Sequence, residues 1–242
     1  TSKGLVFLKT LIEFKNLNIL YVVSEIDPSL DNDNFNDIKE LCNSFSIPFF
    51  RRLRAPKIKN NSLIIAVSWK WMINYENSDL IVIHDSLLPK YRGFNPLVSA
   101  LINGEREIGA TAIYGTSEYD KGDIIKKVKA EIAYPITIRE AISVISNLYI
   151  QLAKYLSVCL SSGTLPSAEP QNEEIATYSL WRSEDDYLII WDKTSKEIKR
   201  FIDAVGSPYK SASSYINNKK VRIIEAFEYL DKSIENRIPG KV

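Results

Sequence analysis

The sequence predicts an α/β fold with an open, mostly parallel sheet and a small β-rich unit at the C-terminal end. Three observations carry this. Residues 62–67 (SLIIAV) and 80–83 (LIVI) are short, continuously apolar runs, helical periodicity fills the stretches around them, and composition changes after residue 160. Runs apolar throughout suit parallel strands covered on both faces. Their alternation with helices through short connections implies right-handed, Rossmann-like crossovers.

The elements follow in order. Residues 5–14 (LVFLKTLIEF) carry apolar side chains at helical spacing, and residues 18–24 (NILYVVS) read as a buried strand. Residues 31–45 contain a second helix with Ile38, Leu41, Cys42 and Phe45 on one face. After the two apolar strands, a helix begins at residues 96–102, and strands are expected at 110–115 and 123–132. The longest periodic segment, residues 137–160, places Ile138, Ala141, Ile145, Leu148 and Leu152 in one stripe. Residues 1–168 thus form one domain, 169–177 a polar linker containing Pro170, and 178–242 a smaller unit. In that unit, residues 187–191 precede a helix at 195–205 and a hairpin-like stretch at 213–229 turning at Asn217-Asn218.

Bulk composition narrows the function classes. A net charge of +1 over 242 residues supplies no strong global field to recruit nucleic acid or an acidic membrane surface. Two cysteines, Cys42 and Cys159, lack metal-ligand or disulfide spacing, so a reducing, cytoplasmic compartment is expected, with no metal site. No apolar run reaches the length that spans a bilayer, and no signal peptide is visible. The chain opens at Thr1 without a methionine, so leading residues are expected to be missing. Apolar residues in the C-terminal unit suggest a homodimer surface.

His84, the one histidine, follows the strand at 80–83 and should lie at its carboxyl edge, where open α/β sheets bind ligands. The next residues, Ser86-Leu87-Leu88-Pro89-Lys90-Tyr91-Arg92-Gly93, form an irregular loop bearing basic side chains and backbone donors. A second loop, Asp120-Lys121-Gly122-Asp123, lies between two predicted strands and can bring a carboxylate to the same edge. A His–Asp pair is suited to proton transfer in acyl transfer; a histidine merely satisfied at a strand end is the competing reading.

Residues 84–125 (HDSLLPKYRGFNPLVSALINGEREIGATAIYGTSEYDKGDII) resemble the folate-dependent formyltransferases, which include enzymes acting on glycinamide ribonucleotide, methionyl-tRNA and nucleotide sugars. His-x-Ser-Leu-Leu-Pro, Tyr-Arg-Gly, Asn-Gly-Glu, Gly-x-Thr and Asp-x-Gly-x-Ile occur in order, with weaker similarity over residues 3–168. From Tyr187, the pattern Tyr-Leu-Ile-Ile-Trp-Asp looks like the start of the family's small C-terminal domain. The resemblance implies the formyltransferase fold and N10-formyltetrahydrofolate as donor. It gives His84 the role of stabilising or protonating the developing oxyanion, and Asp120 that of orienting the imidazole and helping to deprotonate the amine. It also implies a donor pocket along residues 66–72, including Trp69, Lys70 and Met72, with Tyr114 through Asp120 as the opposite lip. Core packing is the competing reading for Trp69 and Met72. On the acceptor side, Lys3 meets a phosphate or is simply solvated, Arg92 binds phosphate or orders its loop, and Tyr187 and Tyr209 stack on a nucleobase or pack inside.

One position departs from the family pattern. Val82 stands where these enzymes usually carry asparagine, and strand alternation puts it on the same face as His84. Losing such an oxyanion donor costs about 2.7–4 kcal/mol of transition-state stabilisation. Three accounts stay open: Asn95 or a backbone N–H replaces the donor, the enzyme runs slowly on His84 and Asp120 alone, or the protein binds ligand without catalysis. The expected acceptor is a dTDP- or UDP-linked amino-deoxysugar used in surface polysaccharide synthesis, which makes the partners small molecules rather than nucleic acid or membrane. Methionyl-tRNA formylation and a catalytically impaired folate- or nucleotide-binding homologue are the alternatives.

Overall fold

The computed structural model describes residues 1–30, 32–230, 232–236 and 238. Helix α1 (Ser2–Ile12) is capped by Thr1, whose side chain accepts from the Gly4 amide. Strand β1 (Val22–Ser24), helix α2 (Phe35–Ser44) and strand β2 (Phe49–Arg51) follow. Asp31, the first residue of the helical stretch expected at 31–45, lies outside the described residues. Strands β3 (Leu63–Val67) and β4 (Asp79–His84) are the two apolar runs. The two-residue strand β5 (Arg92–Gly93), α3 (Pro96–Asn103), β6 (Glu107–Tyr114), β7 (Ile124–Glu131) and α4 (Ile138–Ser161) complete the larger unit.

The main sheet has the order β3-β4-β6-β7, and it corrects the expectation of a mostly parallel sheet. β3 and β4 are parallel, whereas β4 with β6 and β6 with β7 are antiparallel. β6 thus runs back along β4. The β6–β7 connection is too short for a crossover, so that pair is antiparallel as well. β1 and β2 form a parallel pair of their own, because the ladder bonds of β1 go to β2 and not to β3.

Helix α4 is stabilised by a capping box between Thr137 and Glu140. It buries the predicted stripe, Ile138, Ala141, Ile145, Leu148 and Leu152, in a core shared with Phe7 of α1 and Ile108, Ala110 and Ala112 of β6. This helix is long and apolar enough to cross a membrane by composition, yet its apolar face is occupied by the sheet and α1. Beyond it, strand β8 (Tyr178–Ser179) pairs with β5. Helix α5 (Ser195–Ala204) and the hairpin β9 (Ala212–Ile216)–β10 (Lys219–Ile223) follow. Asn217 and Asn218 turn that hairpin with φ of 50° and 60°, as a tight twisted turn requires. Its pairing ends at Ile223, short of the predicted 229.

Candidate active site

His84 ends β4, where Thr111 of β6 pairs with it. The parallel register puts Val67 beside Ile83, so residues 68–72 leave the sheet at the same edge. Tyr114 pairs with Ile81, three residues down β4, and residues 115–123 then fold back to bring Asp120 to the histidine. This fold-back needs glycine at 122: a Cβ there would stand 1.6 Å from the Tyr114 carbonyl oxygen. Asp120 itself has φ of 57°, a left-handed conformation that aspartate tolerates better than most residues.

The imidazole is held from two sides. Nε2 lies 2.8 Å from the Tyr91 carbonyl oxygen, and Nδ1 lies 3.4 Å from Asp120 Oδ1. A carbonyl only accepts, so Nε2 carries a proton, and Nδ1 is the nitrogen that takes up or releases one toward Asp120. The second Asp120 oxygen accepts the Gly93 amide at 2.8 Å. A carboxylate fixed beside the exchanging nitrogen is the arrangement of an acid–base pair.

The loop between the two catalytic candidates is anchored at several points. Ser86 Oγ donates to the Lys90 carbonyl at 2.6 Å, and the buried Thr111 hydroxyl donates to the Ser86 carbonyl at 2.6 Å. Thr111 Oγ1 also accepts from the Leu88 amide at 3.2 Å.

On the expected donor side, Trp69 and Trp71 meet edge to face at 4.8 Å, and the buried indole N–H of Trp69 has no hydrogen-bond partner. Lys70 pairs with Asp27 at 3.1 Å and lies 5.6 Å from the centre of the Trp181 ring. Phe94 packs on both Trp181 and Tyr119. An aromatic wall therefore runs from the 68–72 loop to the residue beside Gly93. Met72 is exposed on the outside. Tyr114 donates to the Pro166 carbonyl at 2.6 Å, and burial holds its hydroxyl above the usual range.

The four expected acceptor-side residues are not brought together. Lys3 is buried and ion-paired with Asp85, which also accepts from the Tyr149 hydroxyl, so its ammonium is neither solvated nor open to a phosphate. Arg92 is fully buried, its guanidinium bonded to Gln171, Glu173 and Tyr178, which corresponds to the loop-ordering alternative. Tyr187 packs inside the main core. Tyr209 packs against that core, and burial raises its hydroxyl pKa.

The Asn95 amide, the expected substitute for the donor missing at Val82, caps nothing at the start of α3. Sequence pattern alone does not point to Asp85 or Tyr149: Asp85 directly follows His84, but its partner Lys3 is 82 positions away. Among the described residues, no group of three His, Cys, Asp or Glu side chains is placed to hold a metal.

Residues 63–145 match the formyl transferase family, and residues 182–242 match the formyl transferase C-terminal domain. Together these segments make up more than half of the chain. The chain belongs to the formyl transferase family. It is a formyl-transferring enzyme of that family.

The methionyl-tRNA formyltransferase of Alkaliphilus oremlandii is 28% identical over 222 residues, 86% of this chain and 70% of that protein. WlaRD, a sugar 3N-formyl transferase solved in the presence of dTDP and 5-N-formyl-THF, superposes with a TM-score of 0.73 at 21% identity. That superposition covers 98% of this chain and 87% of WlaRD. The N-formyltransferase of Helicobacter canadensis, in complex with folinic acid and dTDP-3-aminofucose, gives a TM-score of 0.73 at 20% identity, covering 98% and 89% of the two chains. At these identities the structural likeness establishes the formyltransferase fold.

Proposed function

We propose that this formyltransferase moves a formyl group from N10-formyltetrahydrofolate to the amine of a dTDP- or UDP-linked amino-deoxysugar. The observation that carries the chemistry is the His84 Nδ1–Asp120 contact at the sheet edge, with Nε2 held by the Tyr91 carbonyl. As the amine attacks the formyl carbon, it must lose a proton while the carbonyl oxygen gains charge. Nδ1, backed by Asp120, is the site through which that proton passes. The imidazolium so formed supplies positive charge beside the developing oxyanion, where Val82 supplies no donor. Collapse of the tetrahedral intermediate then breaks the bond from the formyl carbon to N10 of the donor, and the imidazolium returns the proton to N10 as tetrahydrofolate leaves.

The donor suits the wall beside this pair. The Trp71, Phe94 and Trp181 faces offer stacking to a heteroaromatic ring, and the neighbouring Trp69 indole N–H is buried without a hydrogen-bond partner. A net charge of +1 and the exposed aromatic faces favour a small aromatic-bearing acceptor over a polyanion. The fold shared with WlaRD and the Helicobacter canadensis enzyme, solved with dTDP and with dTDP-3-aminofucose respectively, supports the same choice.

A second reading, formylation of methionyl-tRNA, has its own support. The Alkaliphilus oremlandii relative carries that activity in its name, and Arg51, Arg52, Arg54, Lys57 and Lys59 form a local basic stretch.

The test is incubation with N10-formyltetrahydrofolate and a panel of amino-sugar nucleotides, with initiator methionyl-tRNA in parallel. Tetrahydrofolate release together with a formylated sugar by mass spectrometry is expected. Formylation of the tRNA alone would transfer the assignment to the second reading.

A further inference from the structure

We propose that Gln171 is a positioning residue whose side-chain amide holds the Asp120 turn so that its carboxylate faces His84; this rests on the acid–base reading of that pair. Residues 169–177 have the composition of a linker, yet they are stitched to the catalytic loops. The Ile124 amide donates to the Glu169 carbonyl at 2.7 Å, and the Glu169 amide returns the bond at 3.0 Å. Two residues on, Gln171 Nε2 donates to the carbonyls of both Asp120 and Gly122, each at 2.7 Å.

The orientation of that amide is settled by its other end. Gln171 Oε1 accepts from Arg92 Nε at 3.1 Å and Nη2 at 2.8 Å, and an arginine can only donate. Arg92 is in turn fixed by Glu173, at 2.8 and 2.6 Å. Its side chain is fully buried. Asp120 is a non-glycine residue in the left-handed region, a conformation that persists where surrounding bonds over-determine it. The two bonds from Gln171 bracket that residue on its C-terminal side, and the Gly93 amide holds its carboxylate. Without Gln171, the turn loses both backbone bonds that set the direction of the carboxylate.

His84 is the one histidine in the chain, so its proton resonance reports on this geometry without any acceptor. The titratable groups facing the imidazole are Asp120 on the 115–123 loop and Asp85, just after β4, with Lys3 of α1 and Tyr149 of α4. Gln171 bonds none of those side chains.

The experiment is an NMR pH titration of His84 in the full chain, with kinetics alongside, comparing wild type, Gln171→Met and Glu173→Gln. Gln171→Met removes the amide at nearly constant size and no charge change. It is expected to lower the His84 titration midpoint by about half a pH unit or more, because the carboxylate that favours the imidazolium loses its fixed place. It is also expected to lower kcat by about tenfold with KM for the folate held within about threefold. Glu173→Gln loosens the Arg92 end and is expected to leave the histidine midpoint in place.

Where Gln171→Met does not fold, Gln171→Glu keeps the bonds from Arg92, loses the two donated to the turn, and should lower kcat by the same factor. An unmoved His84 midpoint in folded Gln171→Met would overturn the proposal, as would an equal shift in Glu173→Gln or an unchanged kcat in Gln171→Glu. A wild type that formylates no acceptor defeats the functional reading alone; the NMR arm still decides the role of Gln171.

Discussion

Two acid–base pairs start from adjacent residues at the end of β4, His84 and Asp85. Lys3 with Asp85 and His84 with Asp120 are about equally buried, with side-chain exposures of 11% and 15% against 8% and 10%. Burial therefore does not distinguish a working site from a structural one. Capacity to move a proton does. Burial alone would push the Asp85 carboxyl up, but the Lys3 charge and the Lys3 and Tyr149 hydrogen bonds outweigh it and hold it below the ordinary range. Burial would lower the Lys3 ammonium, and the charge of Asp85 holds it above its ordinary value. Neither group changes charge near neutral pH, so this pair is locked. The other contains an imidazole with Nε2 held by the Tyr91 carbonyl and Nδ1 left facing the Asp120 carboxylate.

The strongest test of the contrast is removal of the histidine. His84→Ala should lower kcat by about 10²–10⁴-fold, and Asp120→Asn by about 10²-fold, with little change in urea midpoint. Asp85→Ala should do the opposite. It leaves a buried, unpaired Lys3 and should cost about 3–5 kcal/mol of stability by urea denaturation, with kcat of the folded fraction falling less than about tenfold.

The pH dependence sharpens the same point. The stability that Asp85 contributes should be complete above the unfolded carboxyl value, about 3.9, and disappear as pH falls through its lower folded value. The contribution of Lys3 should be complete below about 10.4 and disappear as pH rises through its higher folded value. A Lys3→Gln, Asp85→Asn double variant should therefore show a flatter stability profile at both ends, read as urea midpoints against pH.

Val82→Asn tests the open face of the strand and should raise kcat by about tenfold if an amide there reaches the oxyanion. No gain would show that another donor already fills that role. The smallest effect belongs to a site distant from both pairs: Thr137→Ala removes the α4 capping box and should cost about 1 kcal/mol, with kcat and KM unchanged.

Much of the fold was legible because the signals are local. The α4 stripe, the β3 and β4 runs and the Asn217-Asn218 turn each follow from periodicity or turn chemistry within a few residues. Strand direction was not legible, because it is set by how the elements pack against one another rather than by any local residue pattern. At the site, His84 and Asp120 were readable from their motifs, and the structure places them 3.4 Å apart. Lys3 was misleading, and the two readings of Arg92 could not be separated, for one reason. A cation in a loop reads as available for an anionic ligand, and only the fold shows that Asp85 and Glu173 already hold these two.

By itself, the sequence determined which residue types stand at the sheet edge and the order in which the motifs arrive. Residue identity and strand alternation are properties of the local chain, so His84 and Val82 share a face in any fold that keeps this strand. Tertiary structure alone decided which side chains are engaged. Whether a charged group is free depends on partners tens of residues away, as with Lys3 and Asp85 or Arg92 and Gln171. Such pairings are set by the packing of elements, to which local periodicity carries no information.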